Sequence, residues 1–181
     1  FYKSLIHFFD NQFDIIPKII IKKLRGIGKY EQKAPAKLKH EVINQNKEAE
    51  IVVFCSYDLD VFDIPFHTKP PVDWKKIEKK MKEFGADKVF HIRANKMIED
   101  WFLADIEGIC EFLKIKKPKR IKGRNAFEKL KFLFKKGNKI YQKGYNTGNF
   151  VENLNIEKIY NSYFSQFKEL RKYFKNRLQN I

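Results

Sequence analysis

Ala49-Glu50-Ile51-Val52-Val53-Phe54-Cys55-Ser56-Tyr57-Asp58-Leu59-Asp60 passes from an apolar run to two carboxylates. Ile51 to Cys55 are consecutive apolar residues rich in β-branched types, which predicts a strand buried on both faces. Such strands belong to open parallel sheets, whose ligands bind in the crevice beyond the carboxyl ends of the strands. Asp58 and Asp60 fall at that edge. If the backbone curls there, two carboxylates one residue apart converge on one hard cation, because Mg²⁺ takes oxygen ligands and usually keeps several waters. The same residues also suit a plain acidic turn, since Asp is a good turn former.

Outward from this strand, helix and strand patterns alternate. Asp73 reads as the N-cap of a helix over Trp74 to Phe84, closed by Gly85. Asp87 to Ala94 is the next strand, with Val89, Phe90 and Ile92 as its apolar part. Met97 to Leu113 then predicts one helix, with Ile98, Trp101, Phe102, Ile109 and Leu113 on its buried face. A strand–helix–strand–helix order of this length implies right-handed crossovers and a largely parallel sheet. Between the acidic pair and Asp73, Phe62 to Pro71 carries three prolines and His67, a loop over the acidic edge.

Upstream, Tyr2 to Asp10 predicts a helix with Leu5, Phe8 and Phe9 inward. The chain opens at Phe1 in mid-pattern, with neither an initiator Met nor a capping residue, so further residues are expected before it. Ile15 to Leu24 holds a β-rich run that Pro17 restricts to starting after it or to an edge position. Arg25-Gly26-Ile27-Gly28-Lys29 lacks the spacing and the Ser or Thr of a phosphate-binding loop, and reads as a tight strand-to-helix turn. Pro35 fits the first turn of a helix running to about Lys47.

The 181 residues suit a domain of ordinary size, and a hydrophobic content of 43% is enough for a real core. Charge is the unusual feature: 38 Lys and Arg against 22 Asp and Glu, a formal net charge of +16. Such a balance points to a polyanionic partner, nucleic acid before membrane. No apolar run reaches the ~20 residues of a membrane span, and no cleavable signal pattern is visible, so a cytoplasmic location is expected. Cys55 and Cys110 sit in apolar contexts as free thiols, and four scattered histidines make no zinc-site spacing.

From Lys114 the texture changes. Lys114, Lys116, Lys117, Lys119, Arg120, Lys122 and Arg124 form a dense basic run, and helices follow over Asn125 to Lys136 and Glu157 to about Arg177. Residues 1–113 therefore read as an α/β core, and 114–181 as a basic helical extension packed on it. Lys117, Lys119, Arg120, Lys122 and Arg124 are candidates for nucleic-acid phosphates, or else form a solvated face. The aromatics of the later helices, Phe127, Phe132, Phe134, Tyr160, Phe164, Phe167 and Tyr173, have helical spacing and read as core.

Glu99 and Asp100 begin a helix directly after a strand, at the same sheet edge from which Asp58 and Asp60 emerge. Four carboxylates at one edge of a basic protein repel unless a cation neutralises them. Acids in a first helical turn also complement the macrodipole, a sufficient role for Asp100, whereas Glu99 is available to face the crevice.

An apolar strand ending in Asp58-Leu59-Asp60, then a helix, a strand and Lys96-Met97-Ile98-Glu99-Asp100-Trp101-Phe102-Leu103, resembles the Toprim nucleases of overcoming-lysogenisation-defect-like and RloB-like type. The resemblance covers roughly Phe1 to Leu113. It implies a Toprim-like, Rossmann-like α/β fold: a largely parallel sheet flanked by helices, with a basic helical C-terminal part. It implies Asp58, Asp60 and Glu99 as ligands of Mg²⁺ or Mn²⁺, and it makes Lys143 the candidate lysine supporting the transition state. The family's first motif, a Glu ending a strand ahead of a helix like Phe1-Tyr2-Lys3-Ser4-Leu5, has no counterpart in this sequence.

The expected function is metal-dependent hydrolysis of nucleic-acid phosphodiesters, DNA or RNA, in the setting of anti-phage defence. A partner ATPase or a homo-oligomer fits the same reading. Two other classes stand beside it: a non-catalytic nucleic-acid-binding module, and a degenerate Toprim subunit acting through such an ATPase.

Overall fold

The computed structural model describes residues 1–13, 18–62, 72–143 and 148–178. The Ile15-Ile16-Pro17 part of the β-rich run, and the proline loop with His67 beyond Phe62, lie outside the described residues. The chain divides into two compact units, Pro17–Arg93 and the combination of Phe1–Ile16 with Ala94–Ile181. The boundary expected at Leu113 falls inside the latter.

In the unit Pro17–Arg93, α2 (Tyr30–Glu41), β1 (Val52–Asp58), α3 (Trp74–Glu83) and β2 (Lys88–Ala94) follow in order. β1 and β2 pair in parallel, joined through α3, with helices flanking the pair. Asp73 caps α3 by accepting from the Lys76 amide at 3.0 Å. Gly85 closes it at φ 110°, a backbone region open to glycine. The core gathers Tyr30, Ala34 and Leu38 of α2, Cys55 and Tyr57 of β1, and Ile77 and Met81 of α3.

Four expectations are corrected here. Lys18 to Leu24 forms no strand, so the apolar triplet Ile19–Ile21 has no ladder partner, and Ile20 and Ile21 are exposed. The glycine segment leads into α2 through a short 3₁₀ turn at Ile27–Lys29, and α2 begins at Tyr30, leaving Pro35 inside it. α2 also ends early, at Glu41, before a 3₁₀ turn at Ile43–Gln45. β1 is not buried on both faces: Cys55 and Tyr57 are buried, Val53 on the same face packs partly buried against the core, and the alternate residues are half-buried. Among the described residues the sheet has these two parallel strands, a mixed helix–strand arrangement compatible with the expected α/β class.

The other unit is helical. α1 (Tyr2–Phe13), α4 (Ile98–Leu103), α5 (Ile106–Leu113), α6 (Ala126–Lys136), α7 (Ile156–Ser162) and α8 (Lys168–Leu178) pack around an aromatic core. α1 lies against α7 and α8, and α6 against α4 and α5. Phe9 of α1 stacks on Phe174 of α8 at 5.5 Å, and Trp101 of α4 meets Phe167 at 4.7 Å. Leu5 and Phe9 are buried, whereas Phe8 is only half-buried.

The helix expected over Met97–Leu113 is two helices, because Asp105 interrupts it and caps α5. The helix expected over Glu157–Arg177 is likewise divided, into α7, a 3₁₀ turn at Phe164–Phe167, and α8. No helix among the described residues is long and apolar enough to cross a membrane.

Candidate functional site

Side chains alternate along a strand, so Tyr57 points into the core and Asp58, which ends β1, points away from it. The chain then curls: Asp60 opens a 3₁₀ turn over Asp60–Phe62, tied by the Phe62 amide to the Leu59 carbonyl at 2.9 Å. Both acids are half-buried.

Next to them in the chain, Tyr57 is held by both its ring and its hydroxyl. Its ring stacks on Trp74 at 4.2 Å, and its hydroxyl meets His91 Nδ1 at 3.2 Å. His91 Nε2 lies 2.8 Å from Glu78 Oε1. A carboxylate only accepts, so Nε2 donates to Glu78, while Nδ1 shares its hydrogen bond with the Tyr57 hydroxyl. This chain of bonds ties β1, β2 and α3 together immediately before Asp58. Burial, with the Glu78 charge nearby, pushes the Cys55 thiol up to about 12, so it is an inert part of the core.

In the helical unit, α4 begins with two adjacent acids that do different work. Asp100 Oδ2 accepts from the Met97 amide at 3.3 Å, and the Asp100 amide returns a bond to the Met97 carbonyl at 3.0 Å. Asp100 is therefore a helix-start acid. Glu99, about 100° around the helix, is 0% exposed. Its Oε1 accepts from the Tyr141 hydroxyl at 3.0 Å. Its Oε2 lies 3.5 Å from Lys143 Nζ and receives no hydrogen bond among the described residues. Lys143 itself stays 46% exposed.

Glu99 and Lys143, two of the sequence-derived candidates, are thus neighbours. Tyr141 was not a candidate. Its signal lies in the extended stretch Lys139-Ile140-Tyr141-Gln142-Lys143, where Tyr141 and Lys143 are two apart and share a side, while Ile140 is exposed. Phe134 and Phe150 hold the Tyr141 ring at 5.1 and 6.4 Å.

The basic run follows α5 as an ordered, irregular segment. Lys114 takes the left-handed conformation at φ 55°, and the Ile115 amide reaches back to the Cys110 carbonyl at 3.0 Å, which closes α5. At the far end the Asn125 side chain caps α6 by accepting from the Glu128 amide, and the Arg124 amide donates to Glu128 Oε2 at 2.7 Å. Gly123, at φ 143°, passes so close to α6 that a Cβ would meet the Lys129 amide nitrogen at 2.5 Å.

Lys119, Arg120, Lys122 and Arg124 are all exposed and make no ion pair among the described residues. Lys117 differs: it pairs with Glu107, which also binds Lys158. These two lysines hold the Glu107 carboxyl down at about 2.

Asp58 and Asp60 belong to the unit Pro17–Arg93, and Glu99 and Lys143 to the other. Among the described residues no group of three or more His, Cys, Asp or Glu side chains could hold a metal ion. The donors are nonetheless of the type Mg²⁺ takes, and that ion is commonly held by one or two carboxylates together with water and substrate phosphate. No family model, curated protein or solved structure matches this chain.

Proposed function

We propose that this protein is a Toprim-like nuclease that cleaves nucleic-acid phosphodiester bonds with Mg²⁺ or Mn²⁺. The observation that carries the reading is the Glu99–Lys143 pair: a fully buried carboxylate with one oxygen lacking a hydrogen-bond donor, 3.5 Å from a half-exposed ammonium. Burying such an oxygen costs stability, so it is more readily explained by chemistry than by packing.

Asp58 and Asp60 would hold the ion; Glu99, a donor of the same kind, belongs to the other unit. The chemistry supplied there would be activation of a water and charge stabilisation at the leaving oxygen. The remaining work falls to the chain. Tyr141 fixes one Glu99 oxygen and leaves the other available. Lys143 has enough exposure to turn toward a phosphate oxygen. Lys119, Arg120, Lys122 and Arg124 hold the polyanion through salt-dependent contacts.

The test is cleavage of a labelled DNA and RNA panel by the full chain, with Mn²⁺ affinity measured by calorimetry. Asp58→Ala and Asp60→Ala abolish cleavage and leave the melting temperature unchanged or slightly higher. Glu99→Gln impairs both metal affinity and cleavage, and Asp100→Asn impairs neither. Equal, small effects at Glu99 and Asp100 would overturn the site. Nucleic-acid binding without cleavage under any divalent ion would establish the non-catalytic module instead.

A further inference from the structure

Helix α8 divides its residues sharply. Leu170, Tyr173 and Phe174 are buried against the helical unit, while Lys168, Arg171, Lys172 and Lys175 are all exposed. Their spacing of three, four and seven from Lys168 makes one continuous basic stripe, about 10 Å long at 1.5 Å per residue. Glu169 and Asn176 are the other exposed residues of the helix up to Asn176, so the stripe carries one acid against four cations.

At the upstream end of the stripe stands Phe164, expected in the core from its spacing but 44% exposed, because it opens the 3₁₀ turn that leads into α8. Arg171 lies over its ring at 4.9 Å from the centroid, and Tyr160 meets the ring at 5.4 Å from the buried side. Among the described residues the other exposed large hydrophobics are isoleucines, so Phe164 is the aromatic ring presented to solvent.

We infer that Phe164, Arg171 and the α8 lysines form a binding surface for single-stranded nucleic acid, separate from the Lys114–Arg124 segment. Single-strand sites combine a basic track for the backbone with aromatic and guanidinium planes on which unpaired bases stack. Both elements are present here, joined by the Phe164–Arg171 contact. A duplex keeps its bases stacked on one another and has no use for the ring. An anionic membrane would attract the lysines, but it calls for an apolar face that the exposed side of α8 lacks. The inference extends the nucleic-acid reading above by naming its substrate class.

The experiment measures binding of the full chain, in EDTA so that cleavage does not enter, to a fluorescent oligothymidylate and to a duplex of equal length. Phe164→Ala weakens oligothymidylate binding about tenfold and leaves duplex binding unchanged, while Phe164→Tyr restores wild-type affinity. Phe164→Leu keeps the apolar packing on Tyr160 and loses affinity like the Ala variant, which separates stacking from folding. Lys168→Ala, Lys172→Ala and Lys175→Ala combined lower the log–log salt slope by about two.

The inference is overturned if Phe164→Leu binds oligothymidylate like wild type, or if duplex and single strand lose affinity equally. It is also overturned if anionic phospholipid vesicles, and not the oligonucleotide, respond to the lysine variants. Loss of binding confined to Lys119 and Arg120 variants would overturn it and leave the cleavage reading standing. Intact α8 binding in a chain that cleaves nothing with Mg²⁺ or Mn²⁺ would do the reverse.

Discussion

At the start of α5, Asp105 accepts from three donors: the Gly108 amide at 3.3 Å, the Asn155 amide at 2.8 Å and Lys158 Nζ at 3.3 Å. At the start of α4, Glu99 accepts from the Tyr141 hydroxyl and lies beyond hydrogen-bond reach of Lys143. Both carboxylates are buried, in the same unit, within one turn of a helix start. A buried carboxylate that is fully bonded is a joint: Asp105 fastens α5 to the start of α7. Even Gly108 is committed to it, because a Cβ there would sit 2.1 Å from Asp105 Oδ2. A buried carboxylate left partly bonded is a cost, and it marks where the fold gives up stability.

The largest effect that would break this contrast is at Asp105. Asp105→Ala strands the Asn155 amide and part of the Lys158 charge, and should cost about 3–5 kcal/mol. At roughly 2–4 °C per kcal/mol for a chain of this size, the melting temperature falls by about 6–20 °C. A loss of only a degree or two would make Asp105 no more structural than Glu99.

Next comes Tyr141→Phe. It removes the hydroxyl that donates to Glu99 and should destabilise by about 1–3 kcal/mol, read from urea unfolding. In the Glu99→Gln background the same change should cost less, because the oxygen left behind is no longer charged. Equal costs in both backgrounds would mean that the hydroxyl matters only as ring packing.

Glu99→Gln alone should change stability by less than about 1 kcal/mol, since it removes a buried charge while keeping the acceptor for Tyr141. A loss as large as that of Asp105→Ala would place Glu99 among the structural joints.

The smallest effect is at Glu107, which is exposed beside the Asp105 joint. Its folded pKa of about 2 lies below the ordinary 4.5, chiefly through hydrogen bonds from Lys117 and Lys158. A carboxyl depressed on folding contributes stability above its unfolded pKa, and that contribution is lost as pH falls through the folded value. The melting-temperature difference between wild type and Glu107→Gln should therefore be constant at neutral pH and vanish between pH 4.5 and about 2. A difference that persists at pH 2 would remove the lysine pairs as its cause.

The features legible in the sequence were those with partners close by in the chain. Asp73 caps its helix through an amide three residues on. Gly85 ends α3 because the closing backbone geometry suits glycine, and the apolar faces of α3 and α6 are buried as Ile77 and Met81, and as Leu130, Leu133 and Phe134. Residue type and spacing suffice for such features, since the competing conformations differ within one or two turns.

The tertiary structure decided what depends on distant partners. The periodicity from Met97 to Leu113 fits one helix, but Asp105 turns out of it to meet an amide 50 residues away. Glu99 and Tyr141 are 42 residues apart, and no local preference brings them together. The Ile19–Ile21 triplet has the composition of a strand and forms none, because a strand needs a ladder partner and none stands beside it among the described residues. Local chemistry determined caps, turns and apolar faces. Which carboxylates were buried, and how completely each was bonded, was settled only when segments far apart in the chain packed together and water was removed from between them.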